Sequence, residues 1–215
     1  DQEKYSEAEQ YYLRALASYE VHAPEEAGDT LYNLGLVYDN QEKYAGAEEY
    51  YLRALASYEV HTPEEASDTL FILGLVYQNQ EKYAEAEQYY LRALASYEIH
   101  APHKVGNPAY NLALIQEDQE KYAEAEQNYL RALASYEVHT PEEAGETLHA
   151  LAKVSIKQKK YSDAEKYYLS GLDSFRLFDN YGWIVASYVG IADLFYAQKD
   201  SENYKYFLNR ALAIY

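Results

Sequence analysis

Histidine recurs at His22, His61, His100 and His139, one every 39 residues, and imidazoles at fixed spacing are candidate metal ligands. If that spacing marks successive layers of helices packed about 8–10 Å apart, two helices to a layer, the four imidazoles are too far apart to share one ion. His100 and His103 lie close in sequence, but no carboxylate or cysteine accompanies them, so the histidines read as structural. Carboxylates are the second candidate set. Glu85 and Glu87, and Glu64 and Glu65, occur in pairs of the kind that general acid–base chemistry uses. Their expected places are first turns and the solvent sides of amphipathic helices, where acidic groups favour the helix dipole. The chain has no Gly-rich phosphate loop, nucleophile elbow or Cys/His pair. These residues argue against an enzyme and against a resident metal or cofactor.

The elements that carry these residues are set by one stretch, residues 41–66, QEKYAGAEEYYLRALASYEVHTPEEA. It recurs nearly verbatim, with glutamines at Gln2, Gln41, Gln80, Gln119 and Gln158, a step of 39 residues. A fixed period of this size marks a solenoid of stacked supersecondary units. Thr62-Pro63-Glu64-Glu65 reads as a capping box with proline at the first helical position, so a helix begins at Pro63. Leu70, Leu73, Gly74 and Tyr77 then lie on one helical face. The polar run from Gln78 to Lys82 makes a turn. Tyr83, Ala86, Tyr90, Ala93, Leu94 and Tyr97 form the stripe of a second helix, which closes at His100. Each unit is therefore two antiparallel helices, A and B, and the fold class is all-α.

Composition narrows the partners. The chain has 215 residues, 36 acidic against 18 basic, for a net charge of −18. Such a surface repels phosphate backbones, so nucleic acid and anionic membrane are poor partners. No apolar run is long enough to span a bilayer and no signal-peptide pattern opens the chain, so a cytoplasmic protein is expected. Cysteine is absent, which excludes disulfides. Methionine is absent too, even at position 1, and together with ends inside repeats this suggests a fragment or processed product.

The residues Leu31, Leu34, Gly35, Tyr38, Ala47, Tyr51 and Ala54, repeated 39 residues later, resemble the tetratricopeptide repeat. The unit is five residues longer than the family's usual repeat, and Glu59 stands where the family's proline falls. In length and in its Asn-Leu-Gly string the chain is similar to long-repeat adaptors such as kinesin light chain and the Pins-type polarity adaptors. It is also similar to bacterial peptide-sensing regulators of the Rap type. The resemblance implies a right-handed superhelix with a peptide-binding concave groove.

Carried over residue by residue, the groove positions are Tyr32, Asn33, Leu36 and Asn40, then Phe71, Ile72, Leu75 and Asn79. Tyr110, Asn111, Leu114 and Asp118 follow, and last His149, Ala150, Lys153 and Lys157. In the adaptors, asparagines at the places of Asn33 and Asn111 hydrogen-bond an extended peptide backbone. The lysine-based carboxylate clamp of chaperone-binding relatives is missing, because its positions carry Asp29, Tyr32 and Leu36. Asp29, Asp39, Asp68, Glu117 and Asp118 favour basic segments, while Lys153 and Lys157 favour an acidic stretch.

The whole chain, 1–215, reads as a single solenoid. Residues 1–22 are a lone helix B, repeats follow at about 23–61, 62–100, 101–139 and 140–178, and a divergent pair fills 179–215, making eleven helices. The third repeat has gained Pro108, so its helix A is expected to start late, near that residue. After Phe175 the register slips by one residue, and the single tryptophan, Trp183, lies beyond the slip. Most of the 28 tyrosines are expected in the core with a solvated hydroxyl. The function expected is a non-enzymatic scaffold binding a partner segment. Three other readings stay open: a peptide-sensing regulatory domain, the recruiting arm of an enzyme, and self-assembly through uncapped ends.

Overall fold

The computed structural model describes the backbone of residues 2–214, and their side chains except at residues 2, 3, 20–22, 24, 25 and 61. His22 and His61 therefore lie outside the described side chains. Among the described residues there are eleven α-helices, one short 3-10 turn and no strand. The chain forms two compact units, residues 1–102 and 103–215.

The first unit holds α1 (Gln2–His22), α2 (Pro24–Asp39), α3 (Tyr44–His61), α4 (Pro63–Asn79) and α5 (Tyr83–His100). Helices α2/α3 and α4/α5 are the A/B pairs, α1 packs on α2, and α3 packs on α4. The second unit holds a 3-10 turn (Pro102–Lys104), most of it inside the unit, and then α6 (Gly106–Asp118), α7 (Tyr122–His139) and α8 (Pro141–Lys157). Helices α9 (Tyr161–Leu177), α10 (Tyr181–Ala197) and α11 (Ser201–Leu212) complete it. Here α6/α7, α8/α9 and α10/α11 are the pairs, with α7 on α8 and α9 on α10.

Small residues set how closely the pairs approach. Ala47, Tyr51 and Ala54 are fully buried, as are their counterparts Ala86, Tyr90 and Ala93. A Cβ at Gly35 would stand 2.6 Å from the Tyr51 ring, and Gly74 lies equally hard against Tyr90. A methyl group there would force the ring to move, at a cost of about 1–3 kcal/mol.

Three expectations from the sequence are corrected and one, the late start of α6, holds. Thr62 and Thr140 occupy the N-cap positions of α4 and α8, but neither side chain caps a backbone N–H. Thr140 instead donates to the Glu143 carboxylate at 2.6 Å, so the proline alone marks these helix starts. Helix α6 starts late, as expected, at Gly106 just ahead of Pro108, which fits because a first-turn proline removes an N–H that has no helical partner. The tyrosine hydroxyls are not generally wet: Tyr58 donates to Asp29 at 2.8 Å, Tyr90 to Gln78 at 2.6 Å and Tyr129 to Glu117 at 2.9 Å. The glutamates of the B helices are not all solvent-facing either. Half-buried Glu48 on α3 accepts from Tyr77, Gln80 and Lys82 of the next unit, at 3.0, 3.0 and 3.1 Å.

The turn between A and B is a Schellman motif without glycine. Glu42, Glu81, Glu120 and Lys159 all have positive φ, near 60°. At α4, Glu81 N–H donates to the Gln78 carbonyl and Lys82 N–H to that of Tyr77, both at 2.9 Å, which closes the helix end.

Candidate functional site

The A helices present the groove positions in the same register in each unit. On α2, Tyr32 is half-buried with its ring edge-on to Tyr51, 5.4 Å between centroids, and tilted against Tyr58 at 6.4 Å. On α4, Phe71 lies 5.9 Å from Tyr90, and on α6, Tyr110 lies 5.4 Å from Tyr129. Each aromatic thus leans on a buried B-helix tyrosine and keeps its outer part exposed. Leu36, Leu75 and Leu114 are half-buried one helical turn further on.

Two clefts recur at one register. In the first unit, Tyr32 and Tyr58 with Glu65 and Asp68 line a cleft of about 160 Å³. In the second, Tyr110 and Tyr136 with Glu143 and Glu146 line one of about 250 Å³, which also reaches Asn111. These are equivalent positions two repeats apart. Burial raises the Tyr32 phenol pKa, with Asp68 and Asp39 adding to it, and burial raises that of Tyr110, with Glu146 and Glu117 adding. Both phenols stay protonated at neutral pH and keep a hydrogen to donate. Asp29 accepts from Tyr58 and Asp68 from Tyr97, at 2.8 and 2.7 Å. The Asp68 carboxylate that lines the first cleft thus also takes a phenol donor from α5.

At the next equivalent site the arrangement changes. His149 stands where Tyr32 and Tyr110 do, Phe175 replaces Tyr58, and Trp183 takes the place of Glu65. Trp183 stacks on Phe175 at 5.4 Å and 9°, and meets His149 edge-on at 5.1 Å. His149 also touches Tyr168 at 5.1 Å and lies 3.4 Å from the Ser187 hydroxyl. The indole fills the cleft. Burial, with Lys153 adding to it, lowers the His149 pKa to about 4, so the ring is neutral. Trp183 was legible as divergent but not as a plug, because the one-residue slip hides its register.

The remaining groove residues divide by place. Asn33 donates to the Asp29 carbonyl at 2.8 Å and Asn111 to that of Asn107 at 2.9 Å, each within its own helix. One N–H and the carbonyl oxygen of each amide stay available. Asn40, Asn79 and Lys157 are exposed at the C-terminal ends of α2, α4 and α8, beside the turns rather than along the aromatic row. Lys153 pairs with Glu117 at 3.3 Å, so its charge is partly spent within the protein. Among the described residues no group of three or more His, Cys, Asp or Glu side chains could hold a metal ion. His103 and His139 meet edge-on, 6.1 Å between centroids. Among the described residues no helix is long and apolar enough to cross a membrane.

The tetratricopeptide-repeat family model matches residues 1–59 and 65–137, and a second model of the same repeat matches residues 110–177. The chain belongs to the tetratricopeptide-repeat family. A comparison with curated protein sequences found no match. Among solved structures, this tetratricopeptide chain is similar to BtubC (BKLC) from P. vanneervenii, with a TM-score of 0.78 at 17% identity, over 98% of this chain and 88% of that one. It is similar to a putative kinesin light chain of nearly identical TPR-like repeats from Podosopora anserina, with a TM-score of 0.70 at 14% identity, over 90% and 96%. Aspartyl phosphate phosphatase F from Bacillus subtilis matches with a TM-score of 0.72 at 17% identity, over 93% of this chain and 54% of that chain. At these identities the likeness establishes the α-solenoid fold.

Proposed function

We propose that this protein is a non-enzymatic cytoplasmic scaffold whose A-helix faces hold an extended segment of a partner protein. Tetratricopeptide repeats are generally protein–protein interaction scaffolds, and a fold alone does not name the ligand. The observation that carries the reading is the recurrence of one cleft, two tyrosines facing two carboxylates, in both compact units. A lysine or arginine side chain suits such a cleft, since the ring face and the carboxylates both attract a cation. Asn33 and Asn111, each with a free N–H and carbonyl, are placed to pair with the segment's backbone. Phe71, Leu36, Leu75 and Leu114 supply apolar contact, while Asn40, Asn79, Lys153 and Lys157 act at its edges. His149 contributes through its packing on Trp183.

The test is a pull-down comparing the parent with Asn33→Ala plus Asn111→Ala. Each asparagine makes only a local bond within its own helix, so the fold should survive, checked by circular dichroism. A basic partner kept by the parent and lost by the variant supports the reading. A partner retained equally by both removes the asparagines from the site, and a partner of acidic segments would overturn the cleft chemistry.

A further inference from the structure

In the first unit, Arg92 of α5 pairs with Glu59 of α3 at 2.9 Å, across two successive B helices. The equivalent positions at the other end of the chain are Arg210 on α11 and Arg176 on α9, allowing for the one-residue slip. The glutamate has become an arginine, so two guanidinium groups occupy the place of an ion pair. Both are exposed, and both donate to one phenolic oxygen: Tyr188 accepts from Arg176 at 2.6 Å and from Arg210 at 3.3 Å. Arg210 also lies over the Tyr188 ring, 5.6 Å from its centroid. Two guanidinium groups on one phenol repel each other, and an anion placed between them relieves that repulsion.

These groups open onto a cleft of about 360 Å³ whose other walls are Tyr181, Ile184, Ala213 and Ile214. Arg176 is also bonded to Asp173 at 3.2 Å. Two cations and one anion leave a single positive charge, which matches a monoanion better than a phosphate dianion. Guanidinium forks take carboxylates in two-point geometry, and the two arginines converge on the Tyr188 oxygen, which holds their forks side by side at the cleft. The apolar walls suit a hydrocarbon group attached to that carboxylate. We propose that Arg176, Arg210 and Tyr188 form a binding site for a carboxylate borne on an apolar group, either a small acid or the C-terminal residue of a peptide. The site uses none of the A-helix groove residues and stands independently of the groove reading.

Calorimetric titration of the full chain with N-acetyl-leucine, N-acetyl-leucinamide and inorganic phosphate tests it. N-acetyl-leucine should bind in the millimolar range or tighter, the amide and phosphate roughly tenfold more weakly, because each loses either the charge-assisted bonds or the apolar contact. Arg176→Glu gives Arg210 an acidic partner, as Arg92 has in Glu59, while Asp173 loses its own. It should therefore still fold, by thermal melt, while binding N-acetyl-leucine roughly tenfold more weakly. A pentapeptide ending in leucine that binds tighter than N-acetyl-leucine identifies a chain terminus as the natural source, and equal affinity identifies a small acid. Absence of N-acetyl-leucine binding, an amide or phosphate that binds as well, or affinity unchanged in a folded Arg176→Glu variant would each overturn the proposal.

Discussion

Tyr129 donates to Glu117 at 2.9 Å, whereas the equivalent Tyr51, buried to the same degree, has no hydrogen-bond partner for its hydroxyl. The difference is one methylene, since the position of Glu117 is Asp39 in the first unit. Burial raises the Asp39 pKa, as befits a carboxylate without a donor. Asp39→Glu should therefore let the carboxylate reach Tyr51 and stabilise the protein by about 1 kcal/mol. Urea denaturation checks it, with two controls. Tyr51→Phe should be near neutral, while Tyr129→Phe should cost about 1 kcal/mol. Equal losses in the two phenylalanine variants would show that Tyr51 is satisfied after all.

Glu48 ties α3 to the following unit through three donors. Burial opposes its charge, but the bonds from Gln80, Lys82 and Tyr77 outweigh it and hold the carboxyl below its usual range. Glu126 is held down in the same way, against burial, by Lys160 and Gln158. A carboxyl with a depressed folded pKa contributes stability that is complete above its unfolded value, about 4.3, and is lost as pH falls through the folded value. Glu48→Gln should lower stability at pH 7 and flatten its decline below about pH 4.3. Thermal melts of parent and variant from neutral to acid pH measure this. Parallel curves would remove Glu48 from the acid response.

Glu81 occupies the left-handed region at φ 59°, with an exposed side chain. An L-residue there costs about 1–2 kcal/mol relative to the right-handed region, a cost that glycine avoids. Glycine's extra freedom in the unfolded chain takes back part of that gain, about 0.5–1 kcal/mol. Glu81→Gly should leave a net stabilisation of about 0.5–1 kcal/mol, read as a raised denaturation midpoint. A lowered midpoint would show that the Glu81 side chain contributes more than its backbone costs.

How much of this was readable in advance follows from which interactions are local. The spacing of Leu70, Leu73, Gly74 and Tyr77, and of Ala86, Tyr90 and Ala93, fixes two helices and their buried faces, because side-chain period is a property of one element. The Glu81 turn was visible only as polar residues, since the usual glycine marker is absent. Glu48 looked like any surface glutamate, because its three partners come from the next unit and only stacking shows that those faces meet. The groove aromatics were placed by family register. Of the cleft carboxylates only Asp68 was marked in advance as favouring a basic segment; that register held no sign that Glu65, Glu143 and Glu146 complete the clefts, nor that Trp183 closes the third.

His149 makes that closure measurable. Wedged between Tyr168 and Trp183, its ring stays neutral in the folded protein down to about pH 4, because burial and then the nearby Lys153 disfavour its charge. In the unfolded chain the same ring takes up a proton near pH 6.5. Below that value the unfolded state binds more protons than the folded one, so stability falls with pH from about 6.5 toward 4. His149→Phe keeps a ring against Trp183 and has nothing to titrate. The parent should lose stability between pH 7.5 and about 5.5, a window above most carboxylates, and His149→Phe should lose less. Urea midpoints at the two pH values decide it. The same loss in both proteins would mean that the ring titrates in place, and that Trp183 leaves water a path into the cleft.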